Sequence, residues 1–160
     1  MRLDRRGIEG MPLKLLLTSL LISLTLPTVL GTLQGYDRAM KVEELKGAVQ
    51  KIRSAALSAY LAGPGNVRTV LIDFDSAGRG EQASITLGGR PGTTNSTVIR
   101  YFIQGSEMGS VFMLEPKVSI VPEDGDQLRI KGSHIDLRLE CVNKGGTMYL
   151  SAGLVACQSS

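Results

Sequence analysis

The chain has 160 residues, of which 42% are hydrophobic and 21% charged, a composition typical of folded proteins rather than disordered ones. Its formal net charge of +3 falls to +1 without residues 1–7, and no later block of lysine or arginine interleaved with aromatics indicates a nucleic-acid surface. A single histidine and two cysteines are a poor inventory for metal or nucleophile chemistry, so we predict no metal site, no cofactor and no nucleic-acid partner.

An uncharged run from Leu15 to Gly31 dominates the start of the chain. It extends to Met11–Leu33 if Lys14 places its ammonium group among lipid headgroups. About 20 apolar residues span a bilayer as a helix, so this stretch is long enough. Arginines precede it and a long polar remainder follows, which predicts a cytoplasmic N-terminus and a body outside the cell.

Two interpretations of this segment follow from the rules for targeting sequences. In the first it is a secretory signal peptide with an apolar region from Leu15 to Leu26, followed by a helix break at Pro27. Cleavage then falls after Gly31, and the mature chain begins at Thr32. In the second interpretation the segment is an uncleaved membrane anchor.

The segment after Gly35 has the spacing of an amphipathic helix. Apolar residues recur three and four positions apart between polar ones, and Gly63-Pro64-Gly65 ends the pattern. A stripe of fewer than three heptads more often packs on its own domain than against another copy. The stripe consists of Val42, Leu45, Val49, Ile52, Ala56 and Ala59.

From residue 64 onward, short alternating segments separated by glycine-rich turns predict an antiparallel β-sheet. We expect about six to eight strands, with the amphipathic helix packed against the sheet; a β-sandwich with the helix as a stalk is the alternative. The predicted fold class is therefore α+β. The strand signals before the last hairpin are Val67–Phe74, Ala83–Leu87, Thr97–Ile103, Val111–Leu114 and Val118–Val121.

Alternation in the last hairpin sets its predicted register. A four-residue turn at Asn143–Gly146 pairs Val142 with Thr147. In that register Cys157 falls about 30 Å along the strand from Cys141, which is too far for a disulfide bond. We therefore predict that the two cysteines are not bridged unless the C-terminal tail folds back.

Candidate sites in the β region are few. Asn95-Ser96-Thr97 is an N-x-[ST] sequon in a loop rich in glycine and threonine, so Asn95 is a candidate glycosylation acceptor. The acidic turn Glu123–Asp126 lacks the spacing of an EF-hand, and a solvated turn is the favoured interpretation over a weak calcium site. His134 and Asp136 share a predicted strand face, but no nucleophile elbow accompanies them. We predict no catalytic residue and no enzyme.

The layout of the chain as a whole resembles that of type IV pilin-like proteins, and the archaeal members with class III signal peptides are closest in layout. The shared features are a basic leader that ends in Arg5-Arg6-Gly7, an apolar segment that begins at once, a proline about 20 residues later, and an amphipathic continuation into a β-rich body. Many pilins carry glutamate at the fifth mature position, which is Pro12 here. The nearest acid is Glu9, which would be the second mature residue and a candidate subunit contact.

The resemblance implies that a prepilin-type peptidase cleaves after Gly7 and leaves Ile8 as the first mature residue. It implies a leader at residues 1–7, a transmembrane or filament-core helix at 8–33, an amphipathic helix at 34–63 and an antiparallel β domain at 64–160. The expected partners are membrane lipid, sister subunits and the peptidase. The expected location is a membrane with the C-terminal domain outside the cell, or a cell-surface filament. An exported or tethered domain that binds a glycan, an ion or a protein without forming filaments is the alternative.

Overall fold

The computed structural model of the chain describes residues 6–74, 82–124, 126–132 and 134–155. Helix α1 (Arg6–Ala62) comes first, and strands follow it, with a short 3-10 helix at Thr94–Thr97. The predicted α+β fold class is confirmed. The strands within the described residues are β1 (Val67–Ile72), β2 (Ala83–Leu87), β3 (Val98–Ile103), β4 (Ser106–Phe112), β5 (Ile120–Pro122), β6 (Leu128–Ile130), β7 (Ile135–Lys144) and β8 (Thr147–Val155).

The chain divides into two compact units, residues 1–40 and residues 41–160. The described residues of the first unit, 6–40, belong to the N-terminal part of α1. The second contains the C-terminal part of α1 and all the described strands. The finer boundaries predicted at residues 7, 33 and 63 stay predictions.

Helix α1 ends at the glycine pair that the sequence indicated. Gly63 has a φ of +89°, a conformation that glycine adopts without steric cost, and its N–H donates to the carbonyl of Tyr60 at 3.1 Å. The side-chain amide of Asn66 donates to the carbonyls of Ala62 and Gly63 at 2.8 and 3.1 Å. These bonds satisfy carbonyls that have no partner inside the helix.

The predicted helix break at Pro27 is wrong, because α1 continues through Pro27 and Gly31. A proline removes one backbone hydrogen bond from a helix but leaves the bonds of the turns on either side in place. Leucine is a strong helix former, and leucines lie on both sides of Pro27. The turns on either side therefore stay helical.

The strands form two four-stranded sheets rather than the single sheet expected. Sheet A has the order β1-β7-β8-β5, and sheet B has the order β4-β3-β2-β6. All pairings are antiparallel except that of β5 with β8, which is parallel. The parallel pair arises because the chain passes through β6 and β7 before it returns as β8 beside β5.

The hairpin of β7 and β8 has the predicted apolar face but a different register. Lys144 pairs with Thr147, so the turn is the two-residue Gly145-Gly146 and the predicted pairing of Val142 with Thr147 is wrong. Both glycines have positive φ, 63° and 81°, as the tightest hairpin turns require. The register differs by two residues, which returns each side chain to its predicted face. The buried members of that face are Leu137, Leu139, Cys141, Leu150 and Ala152.

The amphipathic stripe of α1 packs in the core of its own unit, as expected. Val49, Ile52 and Ala56 are fully buried in a single hydrophobic cluster with residues of both sheets. The partners from sheet A include Ile72 and Leu137, and those from sheet B include Ile85, Ile99 and Ile130.

Cys141 is a free cysteine and belongs to this core. Burial raises the pKa of its thiol, because a thiolate is poorly solvated among aliphatic side chains. Cys157 lies outside the described residues, so the prediction about a bridge between the two cysteines stays a prediction.

Candidate functional site

The apolar part of α1 is the first candidate site. Leu13–Gly31 comprises 19 residues with a mean hydropathy of 1.9, and none of this stretch is buried within the protein. By length and composition it is able to cross a membrane. Its large side chains are 50% to 70% exposed: Leu13, Leu15, Leu16, Leu17, Leu20, Leu21, Ile22, Leu24, Leu26, Val29 and Leu30.

Hydroxyl groups within this stretch donate to the backbone of the helix itself. The Thr18 hydroxyl donates to the carbonyls of Lys14 and Leu15, both at 3.0 Å. Ser19, Ser23 and Thr25 make the same kind of bond to carbonyls three or four residues earlier, at 2.9 to 3.3 Å. In hydrocarbon an unpaired donor costs several kcal/mol, so these internal bonds make the stretch compatible with lipid.

The residues predicted for processing lie at the start of the same helix. Gly7, Ile8 and Glu9 fall in its first turn, and Pro12 follows one turn later. The roles of Gly7 and Ile8 in cleavage, and of Glu9 in subunit contact, stay predictions.

A cleft of about 500 Å³ in the second unit is the second candidate site. Strands β2 and β6 are neighbours, with Leu87 opposite Leu128. The residues that follow Leu87 and those that precede Leu128 therefore meet at one end of sheet B. The cleft is lined by Gly89, Arg90, Thr93, Asn95, Asp126 and Gln127.

Hydrogen bonds hold the first wall of this cleft. The N–H of Gly89 donates to the carbonyl of Ile120 at 3.2 Å, which ties the loop to β5. Both the backbone N–H and the hydroxyl of Thr93 donate to the carbonyl of Arg90, at 3.2 and 2.7 Å. A Cβ on Gly89 would lie 3.0 Å from the Cβ of Asn95, so a larger residue at position 89 would push the two ends of the loop slightly apart.

Opposite charges meet across the cleft. Arg90 Nε lies 3.7 Å from Asp126 Oδ1, and the two side chains are 79% and 83% exposed. This separation exceeds a hydrogen-bond length, so the guanidinium group and the carboxylate keep their donors and acceptors for water or a ligand. An exposed pair of this kind contributes little to stability.

Asn95, the candidate glycosylation acceptor, is half-buried at the edge of the cleft. Its Oδ1 accepts a hydrogen bond from Arg100 Nη2 at 3.0 Å. The other two residues of the sequon, Ser96 and Thr97, are buried, and the Thr97 hydroxyl donates to the carbonyl of Thr94 at 3.0 Å. The role of Asn95 as an acceptor stays a prediction.

His134 and the residues of the acidic turn do not come together in one site. His134 precedes β7 and has a φ of +57°, so strand alternation does not set its face as predicted; its Nδ1 lies 3.7 Å from Asp73 Oδ1. In the acidic turn, Glu123 lies over Gly153 whereas Asp126 faces Arg90. Among residues 6–74, 82–124, 126–132 and 134–155, no three His, Cys, Asp or Glu side chains are placed to hold a metal ion together.

The sequence did not indicate that Arg90 lies beside Asp126 and Gln127. They belong to two loops about 35 residues apart, and the pairing of β2 with β6 brings those loops together. The sequence analysis did not predict β6 after the acidic turn, and without that strand the two loops could not be placed side by side.

Comparison with known proteins adds no relative. No family model matches the chain, and no curated protein or solved structure is significantly similar to it. The described residues show an N-terminal helix apolar enough to cross a membrane and an α+β unit with a polar cleft.

Proposed function

We propose that this chain is a pilin-like structural subunit of the cell surface, anchored in a membrane by α1 and presenting its β domain outside the cell. The observation that carries the proposal is the exposed apolar stretch Leu13–Gly31. A contiguous apolar surface of this extent marks a membrane or protein contact, because soluble monomers rarely expose more than a few hundred Å² of it.

The distribution of apolar side chains favours lipid or several helices over one docking partner. Leu15, Leu16 and Leu17 are consecutive, and successive residues of a helix are rotated by about 100°, so apolar groups face every direction. Burying each such side chain is worth about 1.5–3 kcal/mol. Lipid surrounds a helix on all sides, and so do sister helices in a filament core.

The flanking charges support the proposed orientation. Arg2, Arg5 and Arg6 precede the apolar stretch, and lysine and arginine concentrate on the cytoplasmic side of membrane segments. The polar unit that follows the stretch then lies outside.

The pilin-like part of the proposal rests on the leader that ends in Gly7 and on the resemblance in layout. The mature protein begins at Ile8 in this case, whereas a secretory signal peptide gives Thr32 and a simple anchor gives Met1. We would determine the N-terminal residue of the protein recovered from membranes, by intact mass and terminal sequencing. A start at Thr32 would refute both anchoring and filament packing by this helix. A start at Met1 would leave an anchor and refute the processing.

A pair of glycine variants sharpens this experiment. Gly7→Ala should abolish the product that begins at Ile8, while Gly10→Ala, three residues later, should leave it unchanged. Equal processing of both variants would contradict cleavage directed by Gly7. Accumulation of the uncleaved form in the Gly7 variant alone would support it.

A further inference from the structure

We propose that the cleft between residues 89–95 and 126–127 is a binding site for a neutral saccharide. This inference goes beyond membrane anchoring and does not depend on it, because every lining residue belongs to the second unit of the chain. Its volume of about 500 Å³ is within the usual range for sites that hold small organic ligands.

The loop that forms one wall is fixed before any ligand binds. Ser96 N and Oγ bond the carbonyl of Thr93 at 3.1 and 2.7 Å, and Ser96 Oγ also lies 3.4 Å from Ser119 Oγ. The carbonyl of Thr97 accepts from the N–H of Met113 at 2.8 Å, which ties the far end of the loop to the segment after β4. A wall held in this way loses little conformational entropy on binding, which favours affinity.

Several side chains that line the cleft have hydrogen-bond donors or acceptors that are available to a ligand. Arg90 and Asp126 lie too far apart for a hydrogen bond to each other. Among the described residues, the side-chain amide of Gln127 has no hydrogen-bond partner. Arg100 occupies only the oxygen of the Asn95 amide, so its NH₂ group can still donate.

Charge complementarity distinguishes between ligand classes. Asp126 repels a phosphate or another anion, and Arg90 repels a cation, while the pair together carries no net charge. A neutral ligand with several hydroxyl groups meets no repulsion. Each hydroxyl both donates and accepts, so neighbouring hydroxyls can satisfy the Asp126 carboxylate and the Arg90 guanidinium group at once.

The same lining predicts that binding is weak. None of the six lining residues has an aromatic ring on which a sugar could stack. Polar contacts replace bonds to water and yield only a modest net gain each. We therefore expect weak binding, with a Kd of about 1 mM.

The test uses the full chain in lipid nanodiscs and saturation-transfer NMR with defined probes. The probes are mono- and disaccharides of glucose, galactose, mannose and N-acetylglucosamine. Inorganic phosphate, calcium chloride and glycine represent the competing ligand classes, which are an anion, a cation and a zwitterion. We expect saturation transfer to at least one saccharide, and no loss of that signal when phosphate or calcium is added. Transfer to no saccharide at about 50 mM, roughly 50 times the expected Kd, would overturn the proposal. Saturation transfer to glycine without transfer to any saccharide, or loss of the saccharide signal when phosphate is added, would overturn it as well.

Variants then locate the site. Arg90→Gln and Asp126→Asn should each weaken saccharide binding about tenfold or more, since each removes a charge-assisted hydrogen bond. Both residues are exposed, so neither change disturbs the core. Arg138→Gln, which alters an exposed ion pair on sheet A, should have no effect on binding. Unchanged binding in both cleft variants would place the saccharide elsewhere and overturn the assignment. This readout is independent of the mature N-terminus, so failure here is distinguishable from failure of the proposed anchoring.

Discussion

The ring of Tyr101 on β3 restricts which residue can occupy position 109 on the neighbouring strand β4. Tyr101 and Gly109 are opposite each other on β3 and β4, and Tyr101 is buried. A Cβ added to Gly109 would come within 2.7 Å of Tyr101 Cζ, closer than real Cβ atoms approach other atoms. The tyrosine ring therefore occupies the space that any other residue at position 109 would need.

Replacing this glycine should destabilise the second unit. Gly109→Ala forces the buried ring to move and should lower the free energy of unfolding by about 1–3 kcal/mol. Gly47→Ala is the matched control, because it lies in α1 with no atom within 4 Å of the added Cβ. It should raise the free energy by about 1 kcal/mol, the difference in helix propensity. Urea unfolding of the full chain in detergent micelles measures both, and equal effects would contradict the packing argument.

The thiol of Cys141 should make stability depend on pH in the alkaline range. Its pKa in the folded protein lies above the ordinary value of 9.0, so the unfolded chain releases the proton first. The stabilisation is fully present below pH 9.0 and is lost as the pH rises from there toward the folded pKa. Cys141→Ala should remove this alkaline loss of stability, while Cys157→Ala should retain it. Unfolding midpoints at pH 7 and pH 10 compare the three proteins, and parallel behaviour of all three would refute the assignment to Cys141.

At the scale of the element, the hairpin of β7 and β8 depends on a turn in which both residues have positive φ. Asparagine tolerates this conformation, whereas a β-branched residue does not. Gly145→Asn should therefore leave stability nearly unchanged, and Gly145→Val should lower the free energy of unfolding by about 1–3 kcal/mol. Thermal unfolding followed by circular dichroism distinguishes the two. Equal tolerance of both variants would favour the longer four-residue turn instead.

The elements that the sequence predicted best are those whose pattern is local. The stripe that includes Val49 and Ile52 identified the buried face of α1, and Ala83–Leu87 was predicted with the bounds that β2 has. Strand β6 was not predicted, since three residues are too short to show an alternation. Two sheets were predicted only in the alternative β-sandwich interpretation, and the parallel pairing of β5 with β8 was not predicted, because both depend on contacts between distant parts of the chain.

The hairpin of β7 and β8 shows what the alternation of apolar residues predicts and what it does not. Alternation of period two identifies which side chains share a face, and Leu139 and Leu150 are buried together as expected. It does not distinguish registers that differ by two residues. That choice depends on the turn, where Gly145-Gly146 favours two residues over four.

At the scale of the whole molecule, the apolar stretch of α1 should determine membrane association. Ile22 is the middle residue of Leu13–Gly31, and an arginine at the centre of a membrane helix costs about 2.5–3.5 kcal/mol. Ile22→Arg should shift a substantial fraction of the protein from the membrane pellet to the soluble fraction after alkaline carbonate extraction. Leu61→Arg is the control, because Leu61 is equally apolar and 73% exposed but lies outside the stretch. Loss of membrane association in both variants would indicate general misfolding.

The two candidate sites differ in how far the sequence alone could predict them. The apolar stretch is contiguous, so hydropathy finds it without knowledge of the fold. The cleft combines Arg90 with Asp126, and the intervening residues give no sign that the two will be 3.7 Å apart. Such a site can be predicted only when the pairing of β2 with β6 in sheet B is known.

If Asn95 is a glycosylation acceptor, as the sequon predicts, its hydrogen bond with Arg100 has a consequence for maturation. In a host that glycosylates N-x-[ST] sequons, the transferase needs the Asn95 amide, and the folded domain already holds that amide beside buried Ser96 and Thr97. Glycan transfer and folding therefore compete in time for one side chain. The glycosylated fraction then records how long the domain stays unfolded after synthesis, and a glycan attached at Asn95 would occupy the cleft that this residue lines.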